Sequence, residues 1–219
     1  MARNIQDNTV SAENQMKNSA ETSYLGSVNA KTRILVLGNS ITRHAPCEEI
    51  GWHGDWGMAA SCEEKDYVHR LYAKLQNNDV YMMIRQASYW ERHFADSDIL
   101  TNYQAEKEFG ADILIFRLGE NVGGDVDEKL FFEKLKEFLS FLSKPTTKLV
   151  LTNCFWKHPI VDKCIHKYAE EYNAALVDLN GLGAQDEMMA LDKFEHKGVA
   201  MHPGDKGMEA IATAIFEKI

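Results

Sequence analysis

The sequence predicts an α/β protein, a three-layer α/β/α sandwich on about five parallel strands. Five short aliphatic runs lack the polar alternation of a one-sided sheet, so both faces of the sheet are expected to be covered. Segments of helical apolar period separate the runs, and strand–helix alternation repeated about five times implies right-handed βαβ units. The 219 residues, 45% hydrophobic and 26% charged, suffice for the core of one large domain and exclude a disordered chain or a disulfide mini-scaffold.

Taken in order, residues 1–30 are polar and lack apolar periodicity, and are expected as a flexible or loosely docked arm ahead of a domain over 31–219. The expected strands are 33–37 (RILVL), 80–84 (VYMMI), 112–118 (DILIFRL), 148–152 (KLVLT) and 175–179 (ALVDL). The first helical segment, 61–76, places Val68, Leu71, Tyr72 and Leu75 on one face behind a Ser61/Glu64 capping box. Segment 98–109 carries Ile99, Tyr103 and Phe109 and stops at Gly110. Segment 127–143 carries Phe131, Leu135, Phe138, Leu139 and Leu142 and ends before Pro145. Segment 159–172 opens on Pro159, tolerated in a first turn, and turns Val161, Cys164, Ile165, Tyr168 and Tyr172 inward. A last helix runs from about residue 205, with Met208, Ile211 and Ile215 facing the core.

Charge and motif content narrow the function classes. Asp plus Glu is 33 against 24 for Lys plus Arg, a formal net charge of −9, and no cation cluster overrides it. Nucleic-acid binding is therefore not expected, because phosphate contacts need clustered cations. No stretch approaches the roughly 20 apolar residues that cross a bilayer, and no membrane partner is expected. The polar N-terminus has no apolar signal-peptide core, so a cytoplasmic protein is expected, with Cys47, Cys62, Cys154 and Cys164 reduced; a leader removed beforehand would alter that. The remaining histidines show no metal-ligand spacing, and no phosphate- or dinucleotide-binding glycine motif is present, so neither a metal nor a cofactor is expected.

In parallel α/β sheets ligands bind beyond the carboxyl ends of the strands, so the residues just after each strand matter most. The first strand is followed by Gly38-Asn39-Ser40-Ile41-Thr42, the third by Gly119-Glu120-Asn121, and His202-Pro203 precedes the last helix. Each alone has a bland explanation: a serine N-cap near a helix start, a turn asparagine, a surface-loop histidine. Together they form a set suited to acyl transfer. A serine hydroxyl needs a base within hydrogen-bond reach, which an imidazole supplies, and a tetrahedral intermediate needs N–H donors aimed at its oxyanion. The Ser40 amide and the Asn121 carboxamide are donors of the right type.

At these three motifs the sequence resembles the SGNH, or GDSL-like, hydrolase family, over about residues 33–219 and in the family's order. The resemblance implies a flavodoxin-like fold and a serine esterase acting through an acyl-serine intermediate. Ser40 would be the nucleophile and His202 the base, with Asn121 and the Ser40 amide in the oxyanion hole. The implied partner is a small-molecule ester or acylated sugar, since family members of this layout often act on acetylated carbohydrates. A homo-oligomer stays open. There are three departures. Asn39 replaces the usual aspartate. The glycine block after the second strand is absent; Arg85-Gln86-Ala87-Ser88-Tyr89-Trp90-Glu91-Arg92 stands there, with Ala87 or Ser88 as main-chain candidates for the oxyanion hole. Val199 occupies the position of the aspartate three residues before the histidine. Either a main-chain carbonyl orients His202, giving a Ser-His dyad, or an upstream acid such as Asp192 or Glu195 reaches in, or catalysis has been lost. The last option leaves a non-catalytic ligand- or glycan-binding module on the same fold. A flavin protein with Gly38–Thr42 around a phosphate is a weaker rival, because that turn is poor in hydroxyls.

The segment after Ser40 is rich in tryptophan and small residues (Ile50-Gly51-Trp52-His53-Gly54-Asp55-Trp56-Gly57) and is expected to overhang the pocket. Trp52, Trp56 and Trp90 are candidate pocket walls; a satellite core beneath a long loop is the competing reading for the first two. Arg85 and Arg117, near strand ends, are read as structural ion pairs rather than anion ligands.

Overall fold

A computed structural model describes residues 22–75 and 79–219. Six strands form one sheet: β1 (Thr22–Gly26), β2 (Thr32–Gly38), β3 (Val80–Gln86), β4 (Ile113–Arg117), β5 (Lys148–Thr152) and β6 (Ala175–Val177), in the order β1-β3-β2-β4-β5-β6. The five from β2 onward are parallel, and their order is that of flavodoxin-like doubly wound sheets. The extra strand corrects the expected arm. Thr22–Gly26 pairs antiparallel with β3 from Thr22↔Arg85 to Gly26↔Tyr81, and Tyr24 stacks on Tyr81 at 5.5 Å. Its burial alternates, as suits a one-sided edge strand, but five residues are too short for that pattern to stand out in the sequence. The rest of the expected arm, residues 1–21, lies outside the described residues.

Helices cover both faces, completing the three layers. On one face α1 (Tyr67–Leu75) and α7 (Asp205–Phe216) place Val68, Leu71, Met208, Ile211 and Ile215 against Ile34, Val36, Met82, Ile115 and Val150 of the sheet. On the other, α2 (Ser88–His93), α4 (Glu128–Leu142) and α5 (Pro159–Tyr172) pack Trp90, Phe131, Leu135, Phe138, Val161 and Ile165 against Leu35, Leu37, Leu114, Phe116 and Leu151. Successive strand residues thus feed opposite cores, which is why the runs lack polar alternation. Between α2 and β4 the chain forms a 3-10 turn at Ile99–Tyr103 and the short α3 (Gln104–Phe109), ended by Gly110 with φ of 61°.

Two helix starts differ from expectation. α1 begins at Tyr67, not near Ser61: Asp66 caps it, accepting from His69 N at 2.8 Å. The Ser61/Glu64 box does not form, because Asp205 takes both the Ser61 amide and hydroxyl at 2.8 Å. No helix follows β2 directly. Ser40 stands in a single turn, with Thr42 N and Arg43 N both donating to Asn39 O, and the chain runs on irregularly to Asp66. α4 is capped by Asp127, which accepts from Leu130 N at 2.7 Å, and α5 opens on Pro159 as the sequence predicts. The one-turn α6 (Lys197–Ala200) precedes the His202 loop. No helix among the described residues is long and apolar enough to cross a membrane.

Candidate active site

The register aligns Gly38 with Gln86 on one side and Arg117 on the other, so the chain leaves β2, β3 and β4 at one rim. That rim lies at the point where the strand order reverses, the expected crevice of such a sheet. Gly38 is required at the exit of β2, because a Cβ there would lie 1.6 Å from the Thr42 hydroxyl oxygen. The turn then leaves Ser40 partly accessible. Asn39, fully buried, bends it further by accepting from Ile41 N at 3.2 Å.

Ser40 and His202 meet here. Ser40 Oγ lies 2.7 Å from His202 Nε2, across 162 residues of chain. His202 Nδ1 lies 2.6 Å from the carbonyl oxygen of Gly198, the second residue of α6, and His202 N donates to Val199 O at 3.0 Å. Since a carbonyl only accepts, Nδ1 carries the proton and Nε2 presents its lone pair to the serine. Of the alternatives open in the sequence, the main-chain carbonyl is the one this geometry holds. The Trp156 ring meets His202 edge to face at 5.2 Å. Burial lowers the His202 pKa to about 4; the Gly198 carbonyl and Glu120 act upward, His44 and Arg117 downward.

Beneath the serine turn lies a buried polar cluster. Arg117 Nη1 pairs with Glu120 Oε1 at 2.8 Å, and Arg117 Nη2 donates to Asn39 Oδ1 at 2.5 Å. Asn39 Nδ2 donates to two carboxylates, Glu91 Oε1 at 3.0 Å and Glu120 Oε2 at 2.7 Å. Glu120 also accepts from Phe155 N at 2.9 Å. Burial raises the Glu120 pKa, but the Arg117 charge and these donors outweigh it and hold the group below the ordinary range. Glu91, fully buried, accepts from Gly119 N at 2.6 Å, Asn121 N at 3.4 Å and Asn121 Nδ2 at 2.5 Å. Burial and then the Glu120 charge push the Glu91 pKa up, against those donors. Gly119 is the second glycine the site requires: its φ is 147°, and a Cβ would lie 2.6 Å from Cys154 Sγ and Val161 Cγ1.

The three motifs therefore share one rim, Ser40 with His202 directly and Asn121 through Glu91 and Asn39. Other expected site residues go elsewhere. The Ala87 amide donates to Gly38 O at 2.7 Å and the Ser88 amide to Gln86 Oε1 at 3.2 Å, so neither is open to an oxyanion. The Ser40 amide meets no acceptor among the described residues. Trp90 is core: it stacks on Phe138 at 4.7 Å and meets Phe116 edge to face at 5.7 Å. Trp52 is buried in a satellite core with Ile50, Met58 and Val199, its indole N–H donating to His44 O at 2.9 Å. Trp56 is half-buried, bonded to Ala60 O at 3.0 Å, and meets Trp52 at 5.6 Å. The loop they brace docks on the serine turn through Met58 N to Ser40 O at 2.9 Å. Arg85 pairs with Glu106 at 3.1 Å and Arg117 with Glu120, as ion pairs. Gly198, Trp156 and Glu91 escape the sequence reading. Trp156 follows β5, where a search past every strand would reach it; Gly198 acts through its main chain and leaves no side-chain signal.

No family model and no curated protein matches the sequence. Solved structures do match in three dimensions. The esterase EstA from Pseudoalteromonas sp. superposes with a TM-score of 0.51 at 12% identity, over 86% of this chain and 96% of that one. The fold is that of the SGNH, or GDSL-like, hydrolases. A protein from Parabacteroides merdae described as a GDSL-like lipase shares the SGNH fold with a TM-score of 0.55 at 17% identity, over 86% and 95%. A carbohydrate esterase of family 3 from Talaromyces cellulolyticus gives 0.55 at 15%, over 85% and 95%.

Proposed function

We propose that this SGNH-fold chain is a serine esterase that hydrolyses a carboxylic ester through an acyl-Ser40 intermediate. The observation that carries the proposal is the 2.7 Å contact of Ser40 Oγ with His202 Nε2, with the tautomer fixed by Gly198 O. His202 takes the hydroxyl proton as Ser40 Oγ bonds to the acyl carbon. The resulting oxyanion accepts hydrogen bonds from the Ser40 amide and the second N–H of Asn121. Collapse breaks the ester C–O bond, and His202 returns its proton to the leaving alcohol. Water, deprotonated by His202 in turn, releases the acid and restores Ser40. Residues of this chain supply every group in the cycle.

For the substrate we propose a small acyl group on a carbohydrate. The fold neighbours include a carbohydrate esterase and an acetyl esterase. Beside the dyad, the Trp156 ring offers an apolar wall of the kind that packs on sugar rings or acyl groups. The rival, a non-catalytic glycan-binding module, drew its support from the missing acid at Val199; a carbonyl that orients the imidazole weakens that support.

Turnover of p-nitrophenyl acetate by the wild type and Ser40→Ala is the test. A loss of about a thousandfold or more is expected for the variant. Equal rates would remove Ser40 from the mechanism, and failure of a fluorophosphonate to label Ser40 would favour the binding module.

A further inference from the structure

We infer that Glu91 is a positioning residue for the oxyanion hole, acting through Asn121; the inference rests on the esterase reading above. Its carboxylate gathers two separate segments at one buried point. Oε1 accepts from Asn39 Nδ2, Gly119 N and Asn121 N, and Oε2 accepts from Asn121 Nδ2 at 2.5 Å. Asn39 is the residue immediately before Ser40, and Gly119–Asn121 is the turn that carries the carboxamide donor. A single acid thus fixes both donor segments relative to each other.

The anchor is rigid. Glu91 lies on α2, a six-residue helix held by Trp90, whose ring is buried between Phe138, Phe116 and Phe131. It also lies within the stretch where the family's glycine block is missing. The amides of Ala87 and Ser88 are already engaged there, so the segment supplies an acceptor that holds a donor rather than a donor itself.

The chemistry distinguishes a carboxylate from its nearest isostere. All four contacts on Glu91 are N–H donors, so the site requires acceptors at both oxygens. In Glu91→Gln the carboxamide keeps one oxygen, suited to the three donors on Oε1, and sets an NH2 group against Asn121 Nδ2. Asn121 must then flip its amide or turn away, and the second N–H no longer points as before. Loss of one oxyanion donor costs about a hundred- to a thousandfold in kcat, and misdirection of one is expected to cost about ten- to a hundredfold. Ground-state binding of the ester does not use this donor, so KM stays within about twofold.

The test is a kinetic cycle on p-nitrophenyl acetate with wild type, Glu91→Gln, Asn121→Ala and the double variant, with thermal melts of each. The expected result is a kcat loss in Glu91→Gln that disappears in the Asn121→Ala background, while the change in melting midpoint persists there. Independent, multiplying effects on kcat, or wild-type kcat in Glu91→Gln, overturn the inference. Should Glu91→Gln not fold, Glu91→Asp keeps the charge and withdraws the oxygens by one methylene; kcat is expected to fall at least fivefold with KM unchanged, and unchanged kcat overturns the inference. Ser40-dependent turnover in the wild type separates the two levels: without it the esterase reading fails and this inference with it, whereas with it a normal Glu91 variant sinks the positioning role alone.

Discussion

The Gly198 carbonyl oxygen lies 2.6 Å from His202 Nδ1, on the ring edge opposite Ser40. Val199, three residues before the histidine, is fully buried among Ile50, Trp52, Met58 and Ala190. Val199 is part of a core, and the residue before it, Gly198, holds the imidazole. Placing an aspartate there should therefore fail. Val199→Asp would put an unpaired charge among apolar side chains and should destabilise the fold by about 3 kcal/mol or more. Urea denaturation measures the loss, and turnover should not exceed wild type. A stable variant with raised kcat would show that Nδ1 has room for a carboxylate.

A neutral carbonyl stabilises imidazolium less than a carboxylate does, and burial lowers the His202 pKa to about 4. The base must be neutral to act, so kcat/KM should stay level down to about pH 5 and fall on an acid limb near 4, rather than near the 6.5 of free imidazole. Trp156→Ala should open the ring to water and move that limb upward. The same shift bears on stability. The folded pKa is depressed, so the unfolded chain binds this proton first as pH falls. The contribution is fully present above about 6.5 and is lost between there and about 4. A limb at 6.5 in the wild type would contradict the lowered pKa of His202.

The surroundings of Asn39 favour an amide over a carboxylate at that position. Its Nδ2 donates to two carboxylates, Glu91 and Glu120, while Oδ1 accepts from Arg117. An aspartate would keep the Arg117 contact but set a third carboxylate against the other two. Asn39→Asp should cost about 3 kcal/mol at neutral pH. A carboxyl raised in the folded state destabilises only where it must ionise, so the gap from wild type should narrow as pH falls toward about 4 and be closed below it. Denaturation at two pH values checks this; an equal gap at both would mean that Arg117 alone neutralises the group.

Much of the architecture was legible in the chain. Both-sided burial of strands such as 33–37 removes polar residues from them, and one-sided burial gives 127–143 and 159–172 their apolar stripes, so local sequence carries the sheet and its main helices. The edge strand Thr22–Gly26 was not legible, because five residues with one face in solvent leave too short a pattern. Of the site, the serine, asparagine and histidine motifs were readable by type and order. Trp90 reads as a pocket wall and Trp52 stays open between a wall and a satellite core, because composition cannot tell an aromatic at a rim from one in a core.

By itself, then, the sequence determined the layered α/β fold and the three polar residues that end up at one rim, since periodicity and turn chemistry are local properties. Tertiary structure alone decided what orients His202, where the Ala87 and Ser88 amides are engaged, and that Glu91 holds Asn121. Those are matters of main-chain groups and of burial between segments tens of residues apart, and neither leaves a mark on residue spacing.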